Sequence, residues 1–246
     1  MKKLKSQMLL MEFLMRDMLL PGLGISLLLI ITNYILFSVH KSEYWRLFSE
    51  QVAGAGFAVA FTAAVVVAMA FFAAIIASRW IGSKSIITLS MLPTGRMWIF
   101  FGWVFGGMRM RLFITAAMNI SMSIAAVVSR DKAVLYVSEG IYVYNEPDAL
   151  WYAYRRVGFL GWVCPGNFGE WTRFILFNLG APIVTAKTTL GFLADRPFSA
   201  LLSLGCFILS CVLMALEQGT FNLFSLAVIV CAVFGARSLL IEGDTI

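Results

Sequence analysis

The sequence predicts an all-α polytopic membrane protein with a small extramembrane module, and three observations carry that prediction. The 246-residue chain is 61% hydrophobic and only 13% charged, against about 45–50% and about 25% in soluble domains. Its apolar residues fall in uninterrupted runs of the length a helix needs to cross a bilayer, about 20 residues. Its Lys and Arg gather between those runs, where loops face an anionic leaflet. A soluble chain of this size would lack the charge to cover its surface.

Residues 1–17 are a basic tail, with Lys2, Lys3 and Lys5 ahead of a stretch that reads as an amphipathic surface helix. Glu12, Arg16 and Asp17 interrupt the early apolar run and no small-x-small cleavage site follows, so the first span is expected to be uncleaved. Residues 18–39 hold no charge and form the first span. Asn33 is its only strongly polar residue, a candidate for an interhelical hydrogen bond or, alternatively, a substrate ligand.

Residues 40–51 place Tyr44, Trp45 and Phe48 among Lys41, Glu43, Arg46 and Glu50, which suits an interfacial helix. His40 is the only histidine. It has no second histidine or acid cluster beside it, so no metal site is expected. Residues 52–78 form the second span. Gly56, Ala60, Ala64 and Ala68 recur every fourth residue there, and Ala70, Ala74 and Ser78 continue the pattern with a shift. Positions i and i+4 share a helix face, and a small-residue face lets another helix approach closely. That partner is either a helix of the same chain or another subunit.

The segment 79–129 is read as basic interfacial or re-entrant pieces, of which 79–112, with Arg79, Lys84, Arg96, Arg109 and Arg111 and no acid, is expected to face the cytoplasm. Leu92-Pro93-Thr94-Gly95 signals a turn. The aromatic run 97–107 has 11 residues, too few to cross, and reads as interfacial or re-entrant. Residues 113–128 are marginal as a span. The segment 130–173 balances acids and bases and is read as a small polar module. It contains a β-hairpin over 133–145 and a helix opened by Glu146-Pro147-Asp148.

Residues 174–246 form the last membrane region. Residues 174–194 are apolar but hold Asn178, Pro182 and Lys187. Lys187 either snorkels to an interface or is a buried functional charge. Residues 197–216 and 220–236 make a helical hairpin, within 197–236, whose outer ends carry Arg196 and Arg237. Parity then requires an even number of crossings between Arg111 and Arg196. Zero gives four spans, those at 18–39, 52–78, 197–216 and 220–236. Two, at 113–128 and 174–194, gives six. Four is the expectation, with both termini in the cytoplasm of a bacterial inner-membrane protein.

Chemistry is sparse. Phosphate loop, HExxH, zinc motif and nucleophile elbow are all missing, so no catalytic residue, cofactor or metal is expected. Cys164, Cys206, Cys211 and Cys231 form no CxxC pair and read as packing residues, with Cys206 and Cys231 at similar depth. The net charge of +6 is assigned to cytoplasmic loops rather than to nucleic-acid binding, since no basic helix with stacking aromatics appears. Arg96, Arg109, Arg111, Arg155 and Arg156 are expected to contact lipid or a partner, with Tyr152 and Tyr154 beside the last two. The four expected spans hold no ionisable residue, which weighs against an ion-coupled carrier.

The expectation for function is a non-enzymatic membrane subunit or assembly factor of a larger complex, such as a secretion or conjugative-transfer machine. It would work with lipids and with other integral membrane chains or copies of itself. The alternatives are a small channel or uncoupled transporter, and a membrane enzyme whose arginines hold a lipid-linked phosphate.

Overall fold

A computed structural model describes residue 12 and residues 15–40, 48–81, 96–129, 135–137, 141–143, 146–216 and 222–242. The architecture is helical. Four helices are long and apolar enough to cross a membrane, over Leu19–Val39, Phe57–Arg79, Met97–Val128 and Phe168–Leu193. The protein is therefore an integral membrane protein by the length and composition of its helices. The turn expected at Leu92-Pro93-Thr94-Gly95 lies outside the described residues.

In chain order the helices are α1 (Leu19–His40), α2 (Phe48–Gly54), α3 (Phe57–Ile81), α4 (Arg96–Val128), α5 (Glu146–Arg156), α6 (Phe168–Leu193), α7 (Pro197–Leu216) and α8 (Asn222–Glu242), with a 3-10 turn at Gly158–Trp162. Two three-residue strands, β1 (Leu135–Val137) and β2 (Ile141–Val143), pair antiparallel ahead of α5. Strands this short add no β layer to the fold.

The segmentation differs from expectation in the middle of the chain. The run 97–107, read as interfacial or re-entrant, and the marginal stretch 113–128 are parts of one 33-residue helix, α4. It continues straight through Arg109 and Arg111. Residues 174–194 likewise belong to a 26-residue helix, α6, despite Pro182 in its interior. Proline inside a membrane helix is tolerated when a neighbour packs against the break. Here Pro182 lies against Gly107, where an added Cβ would sit 2.9 Å from Pro182 Cβ. The described parts of the 197–236 hairpin are apolar helices of shorter run, Pro197–Val212 and Leu226–Leu239. The number of candidate spans is the expected four, but two of them are α4 and α6 in place of the expected 197–216 and 220–236.

The chain divides into two compact units, interleaved along the helices. The first comprises Met1–Gly22, Val67–Arg111 and Ile175–Ile246. Within it, Asp17 and Arg79 form an ion pair that ties the residues just before α1 to the end of α3. Gly180 of α6 lies where α7 and α8 meet it, against Phe207 and Ile229. α7 and α8 pack on each other as a hairpin. The turn between α6 and α7 closes with the Arg196 N–H donating to the Gly191 carbonyl at 2.8 Å, and Asp195 occupies the left-handed region with φ 53°. That is a Schellman cap in which Asp stands where Gly is usual. Pro197 then opens α7 at a position where its missing N–H costs nothing.

The second unit comprises Leu23–Val66 and Leu112–Phe174. Phe37 of α1 packs edge-on against Phe48 of α2 and near Phe57 of α3, with ring centroids 6.2 and 6.1 Å away. α5 rests on α2. The start of α6 is fixed by Asn167, whose Oδ1 accepts the Glu170 N–H at 2.9 Å, while the Glu170 carboxylate accepts the Gly166 N–H at 2.7 Å. This reciprocal arrangement satisfies backbone donors the helix start leaves open.

Candidate functional site

The small residues of α3 fall in two settings. Fully or nearly fully buried positions on α3 are Phe57, Phe61, Val65, Ala68, Phe72 and Ile76. These form one seam at helical spacing. Of the predicted stripe only Ala68 is fully buried. Gly56, Ala60 and Ala64 are half-buried on the flank of the seam. Large side chains, not small ones, make the internal packing.

The shifted continuation of the pattern has a different setting. In the first unit, Ala70, Ala73, Ala74 and Ala77 of α3 face Thr185, Thr188, Thr189 and Phe192 of α6 across an open apolar groove of about 490 Å³. Ala70 and Ala74 are exposed. Thr189 donates to the Thr185 carbonyl at 2.8 Å, the usual way a helical hydroxyl satisfies itself. Thr188 is buried, and its hydroxyl finds no hydrogen-bond partner among the described residues. Alanine and threonine are the residue types that let membrane helices approach and hydrogen-bond. Sequence spacing hinted at the alanine wall; nothing in it announced the threonine wall opposite.

Two buried basic side chains, Arg111 and Lys187, lie inside α4 and α6, candidate spans that were not among the four expected ones. Lys187 of α6 is 4% exposed. Its ammonium donates to the Ser199 carbonyl at 2.6 Å, to Ser199 Oγ at 3.0 Å and to Ser203 Oγ. Gly235 of α8 makes room for the stem, since a Cβ there would sit 3.0 Å from Lys187 Cε. Lys187 therefore joins α6, α7 and α8 and does not snorkel out. Arg111 of α4 is fully buried, with its guanidinium 4.2 Å from the centroid of Phe177. Phe177 in turn stacks on Phe207, 6.5 Å away and within 5° of parallel. Arg109, two residues from Arg111 and so on another side of the helix, is exposed.

The second unit carries the other predicted positions. Asn33 is fully buried and donates to Met118 Sδ at 3.4 Å, an interhelical bond of the kind expected of it. The basic-aromatic patch of α5 is rearranged. Tyr154 turns inward and donates to Asn119 Oδ1 of α4 at 2.7 Å. Burial pushes its phenol above the ordinary tyrosine range, so it stays a neutral donor. Trp151 takes its place outside. Arg155 lies 5.1 Å from the Trp151 ring, and Arg156 lies 5.5 Å from the Tyr152 ring and donates to its hydroxyl at 2.8 Å. Burial, then the Glu170 carboxylate, raises the Cys164 thiol, which leaves it a poor nucleophile at neutral pH.

Cys206 and Cys231 are free thiols. Among the described residues no group of three His, Cys, Asp or Glu side chains is placed to hold a metal. The side chains of His40 and Arg96 lie outside what the structure describes. Comparison with protein-family models, with curated proteins and with solved structures finds no match.

Proposed function

We propose that the chain is a non-enzymatic membrane subunit that assembles with other integral membrane chains. The observation that carries this reading is the open Ala/Thr groove between α3 and α6, with two exposed alanines on one wall and Thr188, whose buried hydroxyl has no hydrogen-bond partner among the described residues, on the other. Apolar surface alone drives no association in lipid, because lipid tails are equally apolar. Small residues and hydroxyls do, through close van der Waals contact and interhelical hydrogen bonds.

Orientation follows from alternation of the spans. Were α1, α3, α4 and α6 each to cross once, the 1–17 tail, the α3–α4 connection and the α6–α7 turn would share one face, and 41–56 with 130–167 the other. The first face carries Lys2, Lys3, Lys5, Arg16, Lys84, Arg96 and Arg196 against Glu12, Asp17 and Asp195. On the second, Lys41, Arg46, Arg130, Lys132, Arg155 and Arg156 are matched by Glu43, Glu50, Asp131, Glu139, Glu146 and Asp148. Basic excess is characteristic of the cytoplasmic face, which supports an N-terminus inside, as in a bacterial inner membrane, and a 130–167 module outside.

The test is purification from native membranes in mild detergent, with native mass determination. Wild type is expected in a hetero-assembly, and Ala70→Leu with Ala74→Leu, which fills the groove edge without touching the internal seam, is expected to release the chain intact. A homogeneous single-chain particle would overturn the reading. A second reading, a small channel or uncoupled transporter for anions, draws on the two basic side chains inside spans. Flux through vesicles that Lys187→Met abolishes would favour it.

A further inference from the structure

The exposed face of α5 has a composition and a position that point to one kind of partner. Ala153 is fully buried and Val157 nearly so, while Trp151, Tyr152, Arg155 and Arg156 are exposed. The exposed residues form two stacked pairs at i and i+4, Trp151 with Arg155 and Tyr152 with Arg156. Each guanidinium thus sits by an aromatic side chain, with its fork of donors held in a limited range of orientations.

The position of this face along the membrane normal follows from Tyr154. Its bond to Asn119 fixes α5 to α4, and α4 begins at Arg96. Asn119 lies nine residues before the C-terminal end of the Met97–Val128 span. α6 starts 12 residues after α5 ends, and its first turn exposes Phe168 at 87% and Trp171 at 50%. Exposed aromatics at the start of a span belong at the headgroup level. α5 therefore lies at the boundary between hydrocarbon and water, with two aromatic rings and two guanidinium groups presented there.

We propose that this face of α5 binds the anionic phosphate headgroups of the surrounding leaflet, with Arg155 and Arg156 as the phosphate ligands and Trp151 and Tyr152 as the interfacial anchors. Arginine forks match phosphate oxygens bidentately. An acidic protein would need no aromatic rings at this depth, whereas a phospholipid offers acyl chains and glycerol to the rings and phosphate to the guanidinium groups. The inference concerns lipid and stands whether or not the chain is a subunit of a larger complex.

The experiment uses the full-length protein in a neutral detergent, titrated with phosphatidylglycerol and with phosphatidylcholine of the same chain length. Bound lipid is counted by native mass spectrometry. Two basic groups at an anionic surface predict a preference for phosphatidylglycerol of about 30-fold. Arg155→Gln with Arg156→Gln is expected to bring the two lipids near parity, and each single variant to lose about fivefold. Arg173→Gln, at the start of α6, is expected to keep the preference. Should the double variant not fold, the single variants carry the test. Equal retention of both lipids by wild type, an undiminished preference in the variants, or displacement of phosphatidylglycerol by millimolar inorganic phosphate would each overturn the proposal.

Discussion

Gly180→Ala tests the packing on which the α6–α7–α8 assembly rests. A Cβ at 180 would lie 2.6 Å from Phe207 Cε2 and 3.0 Å from Ile229 Cδ1. Phe207 cannot simply swing away, because its ring stacks on Phe177, and Phe177 is covered by the Arg111 guanidinium. Overpacking of this kind costs about 1–3 kcal/mol, and alanine recovers up to about 1 kcal/mol of helix propensity. The expected net loss is about 1–2 kcal/mol. Reversible unfolding of purified protein by SDS in mixed micelles would read it. The cause is isolated by Phe207→Leu, which removes the opposing ring atoms. In that background the Gly180→Ala penalty should fall by about 1 kcal/mol or more, a coupling well above the scatter for independent sites. A Gly180→Ala protein as stable as wild type, or strict additivity of the two changes, would refute the close approach of the three helices.

Other consequences follow from the same geometry. Lys187→Met keeps the stem volume, and Ser203 already donates to the Ser199 carbonyl at 2.9 Å, so stability should change by under about 1 kcal/mol. Lys187→Ala, which leaves a void beside Gly235, should cost about 2–3 kcal/mol in the same unfolding assay. Asp195→Gly should stabilise by about 0.5–1 kcal/mol, since it relieves the left-handed strain in the α6–α7 turn. Tyr154→Phe removes one part-buried hydrogen bond worth about 1 kcal/mol, and amide exchange over 150–156 should quicken. Because the folded phenol titrates above its unfolded value, its stabilisation is complete below the ordinary tyrosine range and is lost only as pH climbs through the folded value. Anchoring of α5 in wild type should therefore survive up to about pH 10. Alkylation of Cys164 at pH 8 should be slower than that of an unfolded control, and Glu170→Gln should speed it by removing the negative charge beside the thiol.

The membrane class was legible because lipid demands long apolar runs, and α1 and α3 supply them without a charge until Arg79. α4 was less legible, because Arg109 and Arg111 divide its apolar run, although its best 18-residue stretch still has mean hydropathy 1.6. Hydropathy treats the two arginines alike, but the helix sends them to different sides. Arg109 is exposed and Arg111 is buried against Phe177, so a helix that looks interrupted in sequence continues without a break. α6 was obscured in the same way by Pro182 and Lys187, whose costs are met by Gly107 of α4 and by two serines of α7. The small-residue rule found α3 but did not mark the face that packs inside the chain. Spacing reports which residues share a face, whereas the presence of Phe57, Phe61, Phe72 and Ile76 decides which face the chain itself fills. The patch on α5 was visible as composition, and only the bond to Asn119 revealed that Tyr154 belongs inside and Trp151 outside.

The surroundings of the buried basic groups bear on the choice between the proposed assembly role and a transport role. An ammonium has three protons to donate, and those of Lys187 meet Ser199 O, Ser199 Oγ and Ser203 Oγ, none of them a carboxylate. A solute anion would have to displace one of these bonds and separate α6 from α7 to reach the charge. Arg111 is likewise enclosed, over Phe177 and the ring stacked behind it. Polar groups buried in this way fix which helices neighbour which, a use of intramembrane polarity that needs no substrate. The groups that remain exposed are Ala70 and Ala74 along the α3–α6 groove and the arginines of α5. The first suits a neighbouring helix and the second a headgroup. Transport would require the closed set to open under load, which makes the lack of any Lys187→Met effect on vesicle flux the sharpest observation in favour of assembly.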